Sequence, residues 1–134
     1  MNRQKVLWTA WAMIPVVLAI WWFGPGQELQ ARSRVASTVE LAMAAADQEN
    51  WQEAAELFGQ AIGEAPTDSP ESNRWLRLHA SHAEFMSGNT WNGISGMEEV
   101  LDEIKDADPV LARDARARIA SAQYFATWKL RLEG

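Results

Sequence analysis

The chain has 134 residues, of which 48% are hydrophobic, and a formal charge of −6, which leaves room for one modest domain beside any anchoring segment. It has no cysteine, which excludes disulfides and thiolate metal sites. Arg3 and Lys5 stand at the N-terminal end, whereas all 18 acidic residues follow Gly24, so the bulk of the chain repels phosphate backbones and argues against nucleic-acid binding.

After a short tail over residues 1–5, Val6 to Phe23 carries no charge. Eighteen residues at about 1.5 Å each reach roughly 27 Å, close to a hydrocarbon core of about 30 Å. Trp8 and Trp11 lie near one end and Trp21, Trp22 and Phe23 at the other, as interfacial aromatics would. The run is therefore expected to be a single transmembrane helix kinked at Pro15. A cleaved signal peptide fits less well, because bulky Trp21-Trp22-Phe23 occupies the place of a small-residue cleavage site. A buried helix of a globular fold also fits less well, because the run has no polar stripe. The basic start places the N-terminus inside an inner (cytoplasmic) membrane and the rest of the chain in the periplasm, with the bilayer as one partner.

Residues 24–34, opening with Gly24-Pro25-Gly26, read as a linker or the first turns of a helix. Beyond them, residues 35–134 read as helices only, five in number: Leu29 to Ala46, Trp51 to Glu64, Ser69 or Glu71 to Ser87, Trp91 to Asp106, and Pro109 to Leu132. Gly88-Asn89 is a left-handed stop. Asp108 is the expected N-cap of the last helix, with Pro109 at its first position. Loops of two to six residues imply antiparallel hairpins. The expected fold class is thus all-α: one transmembrane helix, then an α-solenoid of about two and a half helical repeats.

Leu41-Ala42, Trp51, Ala54, Phe58, Ala61 and Pro66 resemble a tetratricopeptide repeat. A large–small pair marks its first helix, and a bulky ring opens the second. A small residue, an aromatic and a second small residue follow, and proline closes the repeat. Thr38 to Pro66 carries the resemblance well. Asn73 to Asp108 carries it only in outline, with Trp91 opening the helix and Glu98 where an aromatic belongs. The last helix would begin a third repeat or cap the array. The resemblance implies a concave groove that binds peptides or partner helices, lined from the first helix of each pair by residues such as Glu40, Arg74, Arg77 and Glu84.

No phosphate loop, nucleophile elbow or H-E-x-x-H motif occurs, so no catalytic residue, metal or cofactor is assigned. His79 and His82 share a helix face, with Glu84 pointing elsewhere, and read as a partly buried pair; metal-dependent chemistry would rest on these two histidines alone. Glu53 and Glu56, Glu98-Glu99 and Asp102-Glu103 read as solvated faces. Charge is nevertheless segregated: eight acidic and no basic residues lie between Val35 and Asn73, and five basic residues between Arg113 and Arg131.

In the last helix, Leu111, Ala115, Ile119, Ala122 and Ala126 form one stripe, and Tyr124, Trp128 and Leu132 a second. Two apolar faces expect two neighbours. The second stripe either folds back, awaits the remainder of a longer repeat protein, or receives another protein. Together these features predict a non-enzymatic, membrane-anchored interaction module, a scaffold or accessory subunit of a membrane complex. The alternative is a periplasmic chaperone or translocon-associated helper.

Overall fold

The computed structural model describes residues 13–20 and 25–133. It is built of helices, with no strand among the described residues. Residues 13–20 are helical, denoted α1. There follow α2 (Pro25–Asp47), α3 (Trp51–Glu64), α4 (Pro70–Met86), α5 (Thr90–Ile104) and α6 (Pro109–Glu133).

Among the described residues no helix is long and apolar enough to cross a membrane. α2 has the length, but it carries Glu28, Arg32, Arg34, Glu40 and Asp47. This corrects the sequence expectation: the transmembrane helix over Val6 to Phe23, the single-pass placement in an inner membrane and the bilayer as partner are not supported. An uncharged run is not by itself a helix of spanning length. Trp8, Trp11, Trp21, Trp22 and Phe23, expected at the two interfaces, lie outside the described residues. Of the two readings of residues 24–34, a linker or the first turns of a helix, the second holds, since α2 starts at Pro25. Proline suits the first turn of a helix, and Glu28 lies where the helix dipole favours a carboxylate.

Each helix from α2 to α6 packs chiefly on its sequence neighbours, and α4 also touches α6. Local chemistry sets the turns. α2 ends with Glu49 at φ 59° and α4 with Gly88 at φ 104°. At both ends the next residue's N–H reaches back five positions, Asn50 to the Ala45 carbonyl at 2.9 Å and Asn89 to the Glu84 carbonyl at 3.0 Å, a Schellman closure. Asp108 caps α6 by accepting a bond from the Leu111 N–H at 3.0 Å.

These turns repeat with a fixed spacing. Pro109 follows Pro70 by 39 residues, Thr90 follows Trp51 by 39, and Gly88 follows Glu49 by 39. Two apolar clusters share α4. Leu76 and Ala83 join Ala42, Ala54, Phe58 and Ala61 in the first; Leu78 joins Met97, Val100, Ile104, Ala115 and Ala122 in the second. The register differs by one residue from the one Trp91 suggested. Gly93 and Met97 take the places of Ala54 and Phe58, and Trp91 is 68% exposed. The cause is the α4–α5 crossing: a Cβ on Gly93 would lie 2.5–2.7 Å from backbone and Cβ atoms of Phe85, so only glycine permits this approach.

Candidate partner-binding groove

The alternate helices α2, α4 and α6 wall an open groove of about 780 Å³. Val35, Ala36 and Val39 come from α2, Glu71, Ser72, Trp75 and Leu76 from α4, and Asp108, Val110, Leu111 and Asp114 from α6 and its cap. The floor is thus apolar and the charged residues on the lining are all carboxylates, of which Asp114 is held by Arg118 one turn on at 3.0 Å.

Beside the groove floor, aromatic rings lock α4 onto α3. Trp75 and His79 have ring centroids 4.0 Å apart, and Phe58 lies 5.6 Å from His79 and 6.2 Å from Trp75. Trp51 meets His82 edge-on at 5.9 Å. Burial, with the Arg118 guanidinium adding to it and Asp114 opposing it, lowers the His79 pKa from 6.5 to about 4. The same causes lower His82. Both imidazoles are therefore neutral near pH 7. They pack as aromatic surface, and among the described residues no group of three or more His, Asp or Glu could hold a metal ion.

The residues singled out in the sequence fall in several places. Ala42, Ala54, Phe58 and Ala61 are buried, Trp51 and Pro66 half-buried. Leu41, expected in the helix–helix packing, is 58% exposed instead, because Thr38, Ala42 and Ala45 turn the buried face of α2 away from it. Glu40 is exposed. Arg74 and Arg77, expected in the groove, point across to α5. Arg77 donates to Glu103 at 2.8 and 3.0 Å and lies 3.8 Å from Glu99, while Arg74 is 4.0 Å from Glu103. Glu84 joins Arg77 on a shallow face formed by α3, α4 and α5, away from the groove. Tyr124, Trp128 and Leu132 are exposed. Phe125, unremarked in the sequence, links Phe85 of α4 and Trp128 at 6.1 Å each.

The groove residues themselves, Val35, Val39, Trp75 and Leu111, carry no local motif. The signal that would have brought them together is the 39-residue spacing, which sets alternate helices on one side.

Comparison with family models, with curated proteins and with solved structures found no match to this chain.

Proposed function

We propose that the chain is a non-enzymatic protein–protein interaction module, a tetratricopeptide-like scaffold or accessory subunit that holds a segment of a partner protein in the groove between α2, α4 and α6. The observation that carries this reading is the groove itself: three helices, contiguous in space but not in sequence, present an apolar floor with carboxylates on its lining. Such a surface suits an extended or helical segment with apolar anchors and a basic flank. The buried Ala42, Ala54, Phe58 and Ala61, with Pro66 after them, and the ladder of hairpins support kinship with tetratricopeptide repeats, although Leu41 does not pack as that pattern implies. The 39-residue spacing departs from the 34 residues usual in that family; the unit opened by Pro70 has a 17-residue α4 and a 15-residue α5 joined by short turns.

The test is a peptide selection on the full chain. Ala36 and Val110 line the groove and are exposed, so A36E/V110E leaves the core intact. Enriched peptides are expected to carry apolar and basic residues and to bind this variant at least tenfold more weakly, with an unchanged far-UV spectrum. Failure to enrich any peptide, or equal binding to the variant, overturns the reading.

A further inference from the structure

Two packing faces recur along α2, α4 and α6 at the 39-residue spacing. One looks back to the preceding helix: Leu76 and Ala83 of α4 are buried in the cluster shared with α3, and Ala115 and Ala122 of α6 in the cluster shared with α5. The other looks forward. Thr38 of α2 donates to Glu64 of α3 at 3.2 Å across 26 residues. Arg77 of α4, 39 residues after Thr38, donates to Glu103 of α5, again across 26 residues. Beside Arg77, Leu78 is fully buried and the Phe85 backbone meets Gly93.

α6 carries the same forward face a third time. Arg113, Arg116, Ala117, Ala120 and Tyr124 stand 39 residues after Arg74, Arg77, Leu78, Ser81 and Phe85. All five are exposed. Among the described residues neither Arg113 nor Arg116 takes part in an ion pair.

We propose that this face of α6 docks an acidic amphipathic partner helix, in the manner in which α4 docks α5. The occupant would set two carboxylates one turn apart against Arg113 and Arg116, and a small residue against the helix at Tyr124, as Glu99, Glu103 and Gly93 do on α4. Charge selects it. α6 holds five basic residues against Asp114 and Glu133, whereas α5 carries Glu98, Glu99, Asp102 and Glu103. A symmetric pairing of two α6 helices would set arginine against arginine. The acidic helices of a second copy are no substitute, because the apolar faces of α3 and α5 are already buried in their own hairpins. At about 100° per residue Val110 falls at the edge of this face, in line with Ala117, whereas Leu111 and Asp114 turn away from it; Arg113 and Arg116 do not line the groove, so their pairing stands whether or not the groove reading does.

The probe is a synthetic peptide with the sequence of residues 90–105, added to the full chain and followed by calorimetry and hydrogen exchange. Saturable binding that weakens with salt is expected, with protection along residues 113–124. R113E/R116E should weaken it at least tenfold with an unchanged thermal midpoint, and a peptide carrying E99K/E103K should restore it on that variant. No binding, binding indifferent to R113E/R116E, or protection confined to α4 through exchange with its own α5 would each overturn the proposal. So would a concentration-dependent dimer of the chain alone that R113E/R116E dissolves, since the occupant would then be a second copy.

Discussion

His79 lies against Trp75 with ring centroids 4.0 Å apart and 35° between the planes. The contact is one of ring faces. It keeps a titratable group neutral inside an aromatic cluster that ties α3 to α4 beside the groove.

That arrangement makes stability depend on acid. The folded pKa of His79 is about 4 against 6.5 for the free side chain. Between these values the unfolded chain binds the proton and the folded chain does not, so protonation favours unfolding. The contribution is complete above about pH 6.5 and is lost as pH falls towards 4. His82, lowered by the same causes, acts in the same direction. Thermal melts from pH 7 to 4 should show a falling midpoint, with a shallower fall in His79→Gln. An identical slope in the variant would show that other groups carry the acid sensitivity.

The buried face of α3 should dominate the first cluster. Phe58 is 2% exposed, and Phe58→Ala is expected to cost about 3–5 kcal/mol. Leu41→Ala, on the exposed side of α2, should cost no more than about 0.5 kcal/mol. Urea unfolding of the two variants measures the contrast. Equal losses would mean that Leu41 is packed as the repeat resemblance implied.

Two helical glycines should respond with opposite signs. Gly93→Ala forces a Cβ against the Phe85 backbone and is expected to lose about 1–3 kcal/mol. Gly59→Ala meets nothing within 4 Å and should gain up to about 1 kcal/mol from helix propensity. Calorimetric midpoints read both. A neutral Gly93→Ala would mean that α4 and α5 separate more easily than their packing suggests.

Tyr124 is 77% exposed and Trp128 half that of a free side chain. Y124A/W128A is therefore expected to leave the melting midpoint within a few degrees while weakening binding of the peptide of residues 90–105 at α6. Calorimetric titration and melting of the same samples separate the two effects. A collapse of the midpoint with association unchanged would make these rings part of the core.

Punctuation was legible in the residues because its chemistry is local. Asp108-Pro109 starts a helix by offering a side-chain acceptor and a preset φ, and Gly88 ends one by accepting a left-handed φ. The matching stop before α3 was legible too, from the run of polar residues between Ala46 and Trp51, although Glu49 takes the left-handed conformation at some steric cost. The register of α5 was misread because Trp91 is the conspicuous residue. Position is decided instead by Gly93, whose lack of a side chain matters only once Phe85 is opposite it.

The faces of α4 could not be read from charge. Arg74 and Arg77 resemble groove residues until Glu99 and Glu103, a helix away, draw them to the other side. The groove has no signature of its own, since its apolar residues are contributed in twos and threes by helices that are not adjacent in sequence. The expected anchor rested on an uncharged run, whereas among the described residues no helix joins the length and the apolarity that spanning requires.

The dependence of each helix on its immediate neighbours has a mechanical consequence. The ladder has little bracing between its two ends beyond the α4–α6 touch, so it behaves as a short spring with its compliance spread over each hairpin joint. Small rotations at the Glu49 and Gly88 joints add up at the mouth of the groove. A segment lodged between α2 and α6 would stiffen the whole coil, and the load would be felt at joints that it never touches.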